Sequence, residues 1–213
     1  MGFCLLNNVA IAATALAGQG ERVLILDIDA HHGNGTDAIF AHDPRVLYVS
    51  THQYPLFPGT GRIGDVGEGP GIGSSVNLPL PPQSSGATAH ALLETIAGPV
   101  IEGFHPTWAI VSAGYDAHYA DPLTDLGFTA ADYAPLVRIA LGAVPRGRTL
   151  VVLEGGYDLD ALERSVAATL AAILDEPVAV GESESGSIDH ELVSLLARLR
   201  SETLARRLEQ TAG

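Results

Sequence analysis

The sequence predicts an α/β protein of three layers, with helices on both faces of a parallel sheet. Three observations carry this: four short apolar runs recur along the chain, helix-length stretches separate most of them, and each run leads into a polar cluster at its C-terminal end. Uninterrupted apolar runs suit strands buried on both faces, as in parallel sheets covered by crossover helices.

Residues 5–17, rich in Ala, Leu and Ile, read as a helix stopped at Gly18. The first strand follows at 22–29, around Val23-Leu24-Ile25-Leu26, and strands of the same kind are expected at 46–50, 107–112 and 149–153. Helices are expected at about 84–102, 129–143 and 159–174. The Gly- and Pro-rich stretch 55–82 is too long for a simple connector, and segments of that length are usually functional, so it is expected to cover or line a site. The main domain is assigned to residues 1–175, a polar linker to 176–187, and a charged helix that docks on the domain to 188–213. The charges of that helix read as a solvated face.

Composition narrows the function. A chain of 213 residues with 46% hydrophobic content can bury a core as one domain. The formal charge of -14 disfavours nucleic acid and anionic membranes as partners and tolerates a cationic substrate better. All 11 basic residues are Arg, which excludes a lysine Schiff base and a phosphate-binding lysine. The single cysteine, Cys4, cannot form an intrachain disulfide, and no charged start with an apolar signal core is present, so a reducing, cytoplasmic setting is expected. No apolar stretch approaches the roughly 18 residues of a membrane span.

The four strand ends carry Asp27-Ile28-Asp29-Ala30-His31-His32-Gly33, Ser50-Thr51-His52, Ala113-Gly114-Tyr115-Asp116 and Glu154-Gly155-Gly156-Tyr157. In open parallel sheets the ligand crevice lies beyond the carboxyl ends of the strands, so these clusters should converge. Asp27, Asp29 and His31 alternate and project to one side of an extended backbone. Carboxylate oxygen and imidazole nitrogen suit zinc, and a catalytic zinc site needs three protein ligands and an open position. The first cluster can supply two ligands and Asp116 a third. A capped strand end with satisfied carboxylates is the plainer alternative. A haloacid-dehalogenase-like phosphatase fits poorly, because His31 stands where that family has Thr or Val and no lysine is available for phosphate.

Taken together, the blocks resemble the histone-deacetylase superfamily, with bacterial acetylpolyamine amidohydrolases and acetoin-utilisation proteins as relatives. The resemblance runs through Gly2-Phe3-Cys4 with Asn7 to Ala12, then Asp27 to Thr36, then Phe57-Pro58-Gly59-Thr60-Gly61. It continues with Ser112 to His118, Asp121-Pro122-Leu123, and Glu154 to Leu159, in the family's order.

The resemblance implies the arginase/deacetylase fold and hydrolysis of an acetyl-amide, acetyl-lysine, acetylpolyamine or a small acetylated amine, to acetate and free amine. It implies Asp29, His31 and Asp116 as ligands of zinc, with ferrous iron as an alternative, and Tyr157 as the catalytic tyrosine. Phe3 and Phe57 are implied as apolar walls for the substrate stem, with Gly2, Gly155 and Gly156 beside the substrate. Asp27 and Ser50 are implied at a structural monovalent-cation (K⁺) site. His32, His52 and His118 are left as neighbours of the site with open roles.

Members of the family also carry a tandem His-His general base upstream of the Gly-Phe-Cys block. Here that block starts at Gly2, and the one His-His pair, His31-His32, includes an expected ligand. The fold is therefore expected to lack its N-terminal portion. Two further readings follow: a non-catalytic metal- or acyl-binding remnant, and an arginase-like ureohydrolase. The single Asp/His/Asp set speaks against the second, whose chemistry uses paired manganese ions.

Overall fold

The computed structural model describes residues 5–211. The opening helix α1 (Asn8–Gly18) starts where the Asn7 side chain accepts a hydrogen bond from the Ala10 amide, a side-chain cap on an otherwise orphaned N–H. It buries Val9, Ala10, Ala13 and Ala17 against alternate residues of the sheet. Then come β1 (Val23–Asp27), α2 (Asn34–Phe40), β2 (Val46–Gln53) and β3 (Ser75–Leu80). After β3, α3 (Gly86–Leu92) passes through a π turn, Leu93–Ala97, into α4 (Gly98–Phe104). The chain closes with β4 (Trp108–Ala113), α5 (Tyr133–Ala143), β5 (Thr149–Leu153), α6 (Leu159–Leu174) and α7 (His190–Thr211).

The five strands form one parallel sheet in the order β3-β2-β1-β4-β5, so the expected α/β class is borne out. Alternation sends Leu24, Leu26 and Val111 to the core under Tyr133 and Leu136 of α5. Val23, Ile25 and Ile110 go to the opposite core under α1. The chain builds outward from β1 through β2 to β3, then returns to the other side of β1 with β4 and β5. The boundary between β1 and β4 is thus a topological switch point, where crossovers leave in opposite directions and open a crevice at the strand tips. The register pairs Asp27 with both Ser50 and Ser112, which aligns the tips of β1 and β4, while β2 continues past Ser50 to Gln53.

Two elements differ from expectation within the strands. Part of 55–82 is the strand β3, whose Val76, Leu78 and Leu80 are fully buried. Its Pro79 is tolerated because β3 is an edge strand and needs hydrogen bonds on one side only. The run at 149–153 is a strand but is not buried on both faces: Leu153 is 60% exposed. At this edge, among the described residues, only β4 lies beside β5. The helix expected at 84–102 reaches Phe104, and α2 was not foreseen.

At the other edge, α7 places Val193 and Leu196 in the core. Its buried Arg200 donates to the carbonyls of Ser75 at 2.8 Å and Gly73 at 3.3 Å. The outer rim of β3 is therefore capped by a guanidinium, a known way of blunting a sheet edge.

Candidate metal centre

Each residue of the centre follows a strand tip at the switch point. β1 ends at Asp27, and the chain continues extended through Asp29 to His31; β4 ends at Ala113, three residues before Asp116. Ligand-type atoms of Asp29, His31 and Asp116 all lie within 4.8 Å of one another. Nδ1 of His31 is 2.7 Å from Asp116 Oδ2 and 3.3 Å from Asp29 Oδ1. The remaining carboxylate oxygens are held by main-chain donors: Ala30 N–H to Asp116 Oδ1 at 2.8 Å, and Gly155 N–H to Asp29 Oδ2 at 3.1 Å. Such bonds orient a ligand while leaving its other oxygen available.

The electrostatics match a cation site. Asp116 is fully buried, and burial with the like charge of Asp29 pushes its carboxyl above the usual range. Its hydrogen bond to Asp116, then that to Asp29, raises His31 to about 10. Two carboxylates packed around an imidazole favour positive charge between them. Asp27, one step back in the strand, is pushed well above its usual range by burial and then by Asp29.

Room for the three side chains depends on two glycines. A Cβ on Gly114 would overlap the Asp29 carboxylate, and one on Gly155 would approach Asp116 Oδ2 to 2.7 Å and Asp29 Oδ2 to 2.9 Å. Two carboxylates and one imidazole, converging with the surrounding backbone cleared of side chains, fit a divalent ion such as zinc or ferrous iron.

The other predicted residues have the following surroundings. Tyr157 lies after the Gly155-Gly156 pair, 41% exposed, with its main-chain N–H donated to Asp121 Oδ2 at 2.7 Å. Gly156 has φ +129°, a conformation other residues rarely adopt. Phe57 stands 61% exposed on the loop after β2. Asp27 Oδ2 accepts from the Tyr48 hydroxyl at 2.9 Å, and the Ser50 hydroxyl pairs with His52 Nδ1 at 2.8 Å. His32 contacts the Thr60 hydroxyl, His52 also contacts the Gly61 carbonyl, and His118 contacts Glu182, so all three are buried with partners. Gly2 and Phe3 lie outside the described residues.

Sequence reasoning quoted Gly114 and Asp121 only within their motif blocks, with no role of their own, and did not single out Tyr48. Gly114 had a signal, since a glycine beside a strand tip often marks a close approach; Asp121 and Tyr48 act through partners far away in the chain.

A parallel sheet whose switch point brings two carboxylates and one imidazole together defines an α/β protein with a candidate metal centre. Residues 1–173 match the histone deacetylase domain model, and the chain belongs to the histone deacetylase family. It is 44% identical over 190 residues to "Histone deacetylase 14, chloroplastic" of Arabidopsis thaliana, covering 87% of this chain and 45% of that protein. It is 47% identical over 163 residues to "Probable deacetylase" of Archaeoglobus fulgidus, covering 75% of this chain and 45% of that protein. Among solved structures, the HDA15 HD domain superposes with a TM-score of 0.83 at 35% identity, over 99% of this chain and 61% of that one. The histone deacetylase Clr3 also gives 0.83, at 33% identity, over 95% of this chain and 35% of that one. The chain thus spans somewhat under half the length of both curated relatives.

Proposed function

We propose that this chain is the metal-holding part of a zinc-dependent deacetylase that converts an acetyl-amide to acetate and a free amine. The observation that carries the reading is the convergence of Asp29, His31 and Asp116 within 4.8 Å, in a chain of this family. Those three residues would hold the ion through their carboxylates and the Nδ1 of His31. When bound, zinc supplies Lewis acidity toward an amide carbonyl and acidifies water.

The protein's own groups do the rest. The Tyr157 phenol donates a hydrogen bond to the oxygen that gains negative charge as the carbonyl carbon becomes tetrahedral. Gly155 keeps the backbone beside the ligands free of a side chain, Gly156 continues that bare backbone toward the substrate, and exposed Phe57 offers an apolar wall to an alkyl stem. Asp27 and Ser50, register partners on β1 and β2, are the residues a monovalent cation would use. The formal charge of -14 favours a cationic acetylated amine or acetyl-lysine over an anionic partner. No helix of the described residues is long and apolar enough to cross a membrane, and the lone Cys4 suits a reducing, cytoplasmic setting. Residues 1–175 are read as the catalytic domain, 176–187 as linker and 188–213 as the docked helix.

The test is turnover of an acetyl-lysine peptide and of an acetylpolyamine with zinc or ferrous iron added. Activity lost on chelation, restored by metal and lowered about 10²–10³-fold in Y157F supports the reading. A second reading, binding without turnover by these 213 residues alone, arises because their tandem pair His31-His32 includes the proposed ligand His31. Tight zinc binding with no hydrolysis of either substrate would establish it in place of the first.

A further inference from the structure

We propose that Asp121 is a positioning residue for Tyr157, fastening the tyrosine to the loop that begins at the metal ligand Asp116. The inference rests on the role proposed for Tyr157 and adds how the phenol is aimed.

A tyrosine carried on two glycines has a flexible base, because glycine restricts φ and ψ least. Hydrogen bonds to the main chain on either side of those glycines help to fix its placement. On one side, the Gly155 amide donates to Asp29 Oδ2 at 3.1 Å and the Gly155 carbonyl accepts from the Tyr115 amide at 2.9 Å. On the other, the Tyr157 amide donates to Asp121 Oδ2 at 2.7 Å, while Asp121 Oδ1 accepts from the Leu123 amide at 2.9 Å. Asp121 is only 6% exposed, so both oxygens work in a low dielectric where a charged acceptor is strong.

The loop carrying Asp121 is itself locked. The Asp121 amide donates to the His118 carbonyl at 2.9 Å, and the Thr124 hydroxyl donates to the Asp116 carbonyl at 2.5 Å. Further on, the Asp125 amide donates to Gln53 Oε1 at 2.8 Å, tying the loop to the tip of β2. One buried carboxylate therefore joins the loop after β4 to the loop after β5, and neither loop is covalently near the other. Only a carboxylate serves both amides with acceptors: asparagine offers one oxygen and alanine none. Displacements of about 1 Å at a reacting centre can cost on the order of 10²-fold, so this bond is placed where it affects chemistry without touching substrate.

The test is a double-mutant cycle on the full 213-residue chain loaded with zinc. Two quantities are read: affinity for a hydroxamate whose carbonyl stands in for the acetyl carbonyl, and hydrogen exchange at the Tyr157 amide. Y157F is expected to weaken binding about tenfold, and D121A by a similar factor. In the Y157F background, adding D121A should cost less than about twofold, since the two act through one phenol. Tyr157 amide exchange should rise in D121A while zinc affinity holds. D121N, which keeps the side-chain volume and one acceptor oxygen, should give intermediate values and serves in the same cycle if D121A does not fold. Equal losses from the Asp121 change in both backgrounds would overturn the inference and leave Asp121 as a support of the fold. No loss in Y157F alone would instead refute the role of Tyr157 itself.

Discussion

Replacing Gly155 with alanine tests the proposed metal centre without removing any of its three proposed ligands. The added methyl would stand 2.7 Å from Asp116 Oδ2 and 2.9 Å from Asp29 Oδ2. Ordinary van der Waals contact begins at 3.4 Å, so the two carboxylates must retreat by roughly 0.5–0.7 Å, whereas metal–ligand distances tolerate only about ±0.2 Å. Gly155 is not among the positive-φ residues, so alanine brings no backbone strain of its own. Zinc affinity should fall about 10–100-fold, the range typical of disturbing the groups that orient metal ligands. Competition against a chromophoric zinc chelator measures this, with G142A as control: Gly142 lies in α5 with nothing within 4 Å of its added Cβ. That control should bind zinc normally and gain up to about 1 kcal/mol of stability from helix propensity. Parental zinc affinity in G155A would refute the placement of the ion between Asp29 and Asp116.

Three further outcomes are expected. Because the folded-state pKa of His31 lies near 10, above its ordinary 6.5, the stability it adds to the metal-free protein is complete below about pH 6.5 and is lost as pH rises through 10. Thermal melts from pH 6 to 10 should show that decline, and saturating zinc should remove it by taking the proton's place. R200A strips the buried guanidinium from the Ser75 and Gly73 carbonyls and should cost about 2–4 kcal/mol by urea unfolding; R200K should recover little, lacking the planar fork. L153E, a charge on the 60%-exposed residue of edge strand β5, should change stability by no more than about 0.5 kcal/mol in urea unfolding, and a loss of several kcal/mol would show that this face of β5 is packed.

The apolar runs disclosed four of the five strands, three of them because a strand covered on both faces is largely apolar. The fifth, β3, was masked by its setting: Val76, Leu78 and Leu80 alternate with Ser75, Asn77 and Pro79 inside a Gly- and Pro-rich stretch, and Pro79 argues against a strand until its edge position is known. The run at 149–153 carried the opposite error. Its residues look like buried strand, yet burial depends on what lies beside β5, which composition does not encode.

The pairing of Asp29 with His31 was readable from a spacing of two, since alternation along an extended chain is a local property of the backbone. Asp116 was readable as a candidate but not as a neighbour: 85 residues separate it from His31, and the β1–β4 register closes that gap to 2.7 Å. The clearance at Gly114 and Gly155 and the link from Asp121 to Tyr157 belong to the same class. Local chemistry is written in residue type and period, whereas distances between loops follow from strand order, and strand order is a compromise struck by the whole core at once.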